Sequence, residues 1–306
     1  MKTFVIALGG NALLRAGQKG TFKEQLQNLN KVVDHIANLV KQGFKIIITH
    51  GNGPQVGNIL LRQEIAKKKV SPLPLFVCGA ESQGMIGYMI QDALYDKLHK
   101  KRVDIPVVTI ITRVVVDKKD PAFRNPTKPI GPFYKEKKGL PREWDITKTT
   151  KGYRRVVPSP DPKKIIEEET IREASKKAIV IACGGGGIPV FKGARGYEGI
   201  DAVIDKDRAS SRLARDIKAD YLVILTDVPH VYINYKKSNQ KKIGKINLHD
   251  LKYYQKQGHF LPGSMGPKIE AAIKFLEKGG RNVVITDFNS LEKAIAGNAG
   301  TVISKF

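Results

Sequence analysis

The sequence predicts an α/β protein: a three-layer αβα sandwich around a mainly parallel central sheet, with a small inserted protruding subdomain. Three observations predict it. Short runs of β-branched and apolar residues recur along the 306 residues, nearly continuous in apolar character, as strands covered on both faces must be. Amphipathic helical patterns alternate with these runs, which implies right-handed crossovers between parallel strands. One proline- and lysine-rich excursion breaks the alternation, and a stretch that long without periodicity is either functional or disordered.

The strand runs are "TFVIAL" (3–8), "KIIIT" (45–49), "PVVTII" (106–111), "AIVIAC" (178–183), "YLVILT" (221–226) and "NVVIT" (282–286). The first helix starts at Thr21, with Glu24 at capping-box spacing. Leu26, Leu29, Val33, Ile36 and Val40 then form one stripe, and Gly43 supplies a left-handed stop. Further helices are predicted near 54–68, 81–101, 163–177, 207–218 and 267–279. Residues 117–155 carry five prolines and twelve Lys/Arg against five Asp/Glu, with Phe123, Phe133, Tyr134 and the only tryptophan, Trp144. With aromatic residues to bury, this segment reads as a lid subdomain inserted in a single 1–306 domain.

Composition bounds the function. Cys78 and Cys183 are the only cysteines and make no disulfide framework, which suits a reducing compartment. No apolar run approaches the ~18 residues of a membrane span, so a cytoplasmic protein without a membrane partner is expected. Lys+Arg 53 against Asp+Glu 29 gives +24, a charge that attracts anions. The lysines are spread over the chain, and no basic helix, RRM signature or Cys/His finger appears, so no specific nucleic-acid partner is expected. A noncatalytic polyanion-binding protein is the alternative from a different class.

Ligands of open α/β sheets gather outside the carboxyl ends of the strands. There the sequence places Gly9-Gly10-Asn11, His50-Gly51-Asn52-Gly53-Pro54, Gly184-Gly185-Gly186-Gly187 and Asp227-Val228-Pro229. Glycine lets backbone amides approach an anion, and a following helix N-terminus adds its positive dipole end. Residues 51–57 give G-x-G-x-x-x-G with Pro54 inside, not a dinucleotide fingerprint in a first βα unit. A Walker loop, the protein-kinase motifs and a G-x-S-x-G elbow are absent. The six histidines lack metal-ligand spacing, so no catalytic zinc is expected. His50, before the glycine turn, could contact a ligand, but a satisfied histidine at a strand end is the favoured reading.

Three lysines stand in unusual settings. Lys128 is pinned between prolines in "NPTKPIG", Lys206 lies between Asp205 and Asp207, and Lys268 falls in the first turn of a helix. A cation there opposes the helix dipole and is compensated if an anion binds beside it. Cationic side chains and fixed amides around a phosphoryl group form a catalyst that works by positioning and charge stabilisation.

These residues carry a resemblance. "IALGGNAL", "THGNGPQVG", "DPAFRNPTKPIGPFY", "RRVVPSPDP", "GGGGIPV", "AVIDKD", "LTDVPHVYINY" and "GSMGPK" run in order through nearly the whole chain, which resembles the carbamate kinases of the amino acid kinase family. Many members of the larger family carry a catalytic lysine where this chain has Ala7; the carbamate kinases resemble it in having none, and Lys128 would supply the missing charge. His230 stands where Asn is more usual. The resemblance implies reversible transfer between ATP with carbamate and ADP with carbamoyl phosphate, used in arginine breakdown to form ATP or in carbamoyl phosphate synthesis. Another acyl-phosphate-forming amino acid kinase is the nearest alternative.

The resemblance also implies site roles. Lys128, Lys206 and Lys268 would offset charge, with Asp207 and Asp201 orienting them. Gly9, Gly10, Asn11, Gly51, Asn52 and Gly53 would hold the phosphoryl group and carbamate. Thr226, Asp227, Val228, Tyr232, Met265 and Lys268 would face the nucleotide. Mg²⁺ would be held mainly by nucleotide phosphates, with no protein metal site. A homodimer is implied, and the apolar 78–94 helix could contribute to it, though a buried core helix reads the same.

Overall fold

The computed structural model describes residues 1–15, 17–149, 152–261 and 263–306, and for Asn11 the backbone alone. The chain begins with β1 (Thr3–Leu8), α1 (Phe22–Lys41), β2 (Lys45–His50), α2 (Gly53–Ala66) and α3 (Leu75–Lys100). Next come β3 (Val107–Thr109), β4 (Arg113–Val115), β5 (Lys128–Tyr134), β6 (Ile146–Thr149) and β7 (Gly152–Val157). The middle continues with β8 (Lys164–Ile165), α4 (Glu168–Ala174), β9 (Ile179–Ile181), β10 (Ile188–Gly193), β11 (Gly196–Gly199) and α5 (Lys206–Asp216). The rest is β12 (Tyr221–Leu225), β13 (Val231–Ile233), β14 (Lys241–Ile243), β15 (Lys245–Asn247) and α6 (Leu248–Lys256), followed by α7 (Met265–Glu277), β16 (Asn282–Thr286), α8 (Leu291–Ile295) and β17 (Thr301–Ser304).

The central sheet has the order β15-β17-β16-β12-β1-β2-β9-β3. From β16 to β3 every neighbouring pair is parallel, and β17 joins β16 antiparallel. All six expected strand runs lie in this sheet, which explains their continuous apolar character. Along β1, Phe4, Ile6 and Leu8 pack into a layer shared with α1 and α3. Val5 points the other way, into a layer shared with α5 and α7. Both faces are buried, so β1 from Phe4 to Leu8 carries no polar residue. Each fully buried large apolar side chain contributes roughly 1.5–3 kcal/mol of transfer free energy.

The capping box forms as expected: Glu24 N donates to Thr21 Oγ1 at 3.3 Å, and Thr21 N donates to Glu24 Oε2 at 2.9 Å. The expected 163–177 helix is a correction. Its first residues form β8, paired antiparallel to β4, and Glu167 accepts from Arg113 N and Nε at 2.7 Å each. Those tertiary partners override local helix propensity, and only the seven residues of α4 remain helical.

The inserted segment folds as a separate antiparallel sheet, β5-β7-β6, whose last strand ends two residues beyond the expected 155. Trp144 is buried against Tyr134, ring centroids 6.1 Å apart, with the Arg155 guanidinium 4.4 Å from the Trp144 ring centroid.

Candidate active site

One side-chain relay of two hydrogen bonds fixes the turn after β2. Thr49 and Ser210 hydroxyls lie 2.6 Å apart, and Ser210 Oγ donates to Lys206 O at 2.5 Å. Since Ser210 gives its proton to the carbonyl, Thr49 must donate to Ser210. The first turn of α5 is thereby tied to the end of β2. As a result the Lys206 stem crosses the glycine turn: a Cβ built on Gly51 would lie 3.2 Å from Lys206 Cδ.

Asp205 caps α5, its Oδ1 accepting from Asp207 N at 2.9 Å. Its other oxygen, Oδ2, accepts from Lys128 Nζ at 2.5 Å, across from β5. Asp207, almost fully buried, holds the other two lysines: Lys206 Nζ donates to Oδ1 at 2.5 Å and Lys268 Nζ to Oδ2 at 3.2 Å. Three lysines from β5, α5 and α7 thus converge through two neighbouring carboxylates.

The electrostatics show what this costs. Burial alone would raise the Asp207 carboxyl, but Lys206 and Lys268 outweigh it and hold it below the usual carboxylate range. Burial lowers Lys206 more than Asp207 can restore, and the Lys268 charge adds to the depression. Lys268 is lowered by burial but carried above its ordinary value by Asp207 and Asp205. Two ammonium groups therefore share one buried carboxylate and repel each other. An incoming anion relieves that repulsion.

The turns divide into two kinds. Among the described residues nothing lies within 4 Å of a Cβ built on Gly10, in the turn after β1. Gly9 packs closely, its built Cβ 2.6 Å from Leu225 O. Asn52 is turned inward: its Nδ2 donates to Ser82 Oγ at 2.8 Å. The side chain of Asn11 lies outside the described residues. The Gly184–Gly187 run is not an open anion loop. All four residues are buried, and Cβ atoms there would meet His50, Asn52, Ile204 and Val114 at 2.1–2.5 Å. Its glycines admit the protein's own groups, with φ positive at 185, 186 and 187.

Two expectations need correction. Asp201 pairs with none of the three lysines; its Oδ1 accepts from Phe76 N at 3.3 Å, before the first turn of α3 has closed. Asp205 takes the orienting place instead. His50 is only half satisfied: Nδ1 donates to Gly51 O at 3.0 Å, while the buried Nε2 has no partner among the described residues. Burial pushes it down to about 4, against the Gly51 carbonyl, so it stays neutral at ordinary pH.

Beside the lysines, Thr226, Asp227, Val228, Tyr232 and Met265 line one cleft of about 150 Å³. Tyr235, His259, Leu261 and Ser264 complete it; Tyr235 and Ser264 stand inside the quoted motifs with no role assigned to them, whereas His259 and Leu261 lie outside every motif. His230 lies edge-on to Tyr232, and its Nδ1 donates to Gly300 O at 2.8 Å. Among the described residues no group of three or more His, Cys, Asp or Glu side chains could hold a metal ion. No helix is long and apolar enough to cross a membrane among the described residues.

Known proteins share this architecture. The amino acid kinase family pattern matches residues 2–287. The carbamate kinase of Thermococcus kodakarensis is 48% identical over 312 residues, covering 99% of each chain. Carbamate kinase 2 of Staphylococcus aureus is 47% identical over 308 residues, covering 98% of each. The structure of the Giardia lamblia carbamate kinase bound to AMP-PNP matches with a TM-score of 0.92 at 42% identity, over 99% of this chain and 98% of that one. This chain belongs to the amino acid kinase family, within its carbamate kinase branch.

Proposed function

We propose that the protein transfers a phosphoryl group reversibly between ATP with carbamate and ADP with carbamoyl phosphate, working in arginine breakdown toward ATP. The observation that carries this reading is the convergence of Lys128, Lys206 and Lys268 on Asp205 and Asp207, with the Lys206 stem against the Gly51 turn. A carbamate oxygen forms the new bond to the γ-phosphorus as the bond to the ADP oxygen breaks. Carbamate is already an anion, so no general base is needed, and the neutral, buried His50 fits that. The obstacle is repulsion between anions, which ammonium groups and helix N-termini offset where charge is transferred.

Thr226, Asp227, Val228, Tyr232 and Met265 would receive the nucleotide, with Lys268 one turn along α7 directed at its phosphates. The structural relative with AMP-PNP supports nucleotide binding in this branch. Mg²⁺ would neutralise phosphate charge, held mainly by the nucleotide's own oxygens. Residues 117–155 would act as the lid: Lys128 reaches Asp205 from β5, so the segment can close over carbamate and keep water out.

The test is a coupled assay. ATP should form from ADP and carbamoyl phosphate, and its absence, or turnover with an aminoacyl phosphate alone, would refute the reading.

A homodimer through α3 is part of the same proposal. Met85, Tyr88 and Tyr95 form an exposed stripe at helical spacing, while Ile86, Met89 and Ile90 face the core. Sedimentation at micromolar concentration should give twice the chain mass of 33.9 kDa; a monomer would exclude that face as a stable interface.

A further inference from the structure

We propose that Gly57 is a positioning residue for Lys128, because a backbone-to-backbone contact between Gly57 and Gly131 sets where the lid lysine stands. The proposal rests on the role given to Lys128 above.

Gly57 lies one turn into α2, the helix that begins in the "HGNGP" turn. A Cβ built there would fall 1.9 Å from Gly131 N and 2.0 Å from Gly131 Cα. No side chain can give way, since both partners are backbone. Gly131 sits three residues after Lys128, where the β5–β7 register shifts between Ile130 and Tyr134. Its φ is +69°, which favours glycine, and its carbonyl accepts from Arg154 Nε at 3.0 Å. One turn earlier on the same helix, a Cβ on Gly53 would lie 3.9 Å from Pro129 O. The start of α2 therefore runs along residues 129–131, and the substrate turn and the lid lysine are gauged against each other.

A methyl group at 57 must push β5 away by about 1.5 Å to reach the 3.4 Å of ordinary contact. Lys128 Nζ meets Asp205 at 2.5 Å, and a shift of that size breaks the pairing. Misplacing a reacting or charge-stabilising group by 1 Å can cost up to about 10²-fold in rate.

The experiment measures kcat and ADP affinity for the wild type, Gly57→Ala, Lys128→Ala and the double variant. Gly57→Ala should lower kcat about tenfold, leave ADP affinity nearly unchanged, and have less than about a twofold effect once Lys128 is alanine. An equal fold-loss in both backgrounds, or no loss in either, would overturn the positioning role. Should Gly57→Ala fail to fold, Gly131→Ala replaces it. Its Cβ would meet Gly57 Cα only at an ordinary 3.5 Å, but alanine strains the backbone at φ +69°, and the resulting smaller kcat loss should depend on Lys128 in the same way. No wild-type turnover, or a harmless Lys128→Ala, would instead defeat the parent reading.

Discussion

Alanine at Lys206 is expected to lower kcat for ATP formation by about 10³-fold, and alanine at Lys268 by about 10²-fold. Removing one preorganised donor to developing charge costs about 10²–10³-fold. Lys206 belongs at the upper end, because its stem lies against Gly51 and its ammonium is almost buried on Asp207. Lys268 is the more distant partner of that carboxylate, at 3.2 Å. Neither change should unfold the protein, because the other lysine still pairs with Asp207 and avoids a buried unpaired charge. Circular dichroism and melting should shift little, so the loss can be read as chemistry. Near-wild-type turnover in either variant would remove that lysine from the mechanism.

The central sheet was legible because strands buried on both faces have no alternative but continuous apolar runs, as β1 and β12 show. The short strands outside that sheet were not. β8 has two residues and β4 three, too few to express a period, so 163–177 read as helix until its tertiary partners were visible.

Much of the site was legible for a different reason: Lys128, Lys206 and Lys268 occupy places that local physics disfavours or restrains. Asp205 was passed over because a helix cap and a lysine partner look alike in sequence, and its carboxylate is both. The Thr49–Ser210–Lys206 relay joins ordinary residues 161 positions apart. The Gly184–Gly187 run misled because glycine permits close backbone approach without saying to what. Here the partners are the protein's own His50, Asn52, Ile204 and Val114.

Lys128 carries the second large expected effect and the central claim, that an ammonium on the inserted segment completes the site. It is the least buried of the three lysines, and its strand touches the turn after β2 rather than the cleft lined by Thr226 and Met265. Its loss should therefore fall on the chemical step and on retention of carbamoyl phosphate, leaving the nucleotide alone. Asp205 would keep its capping bonds to α5, so the fold should survive. The decisive measurement is the single-turnover rate of phosphoryl transfer from carbamoyl phosphate to ADP in Lys128→Ala, with ADP affinity measured separately. A rate about 10²-fold lower and weaker apparent carbamoyl phosphate binding are expected, with ADP affinity unchanged. An unaltered rate, or a fall in ADP affinity as large as the fall in rate, would contradict the central claim.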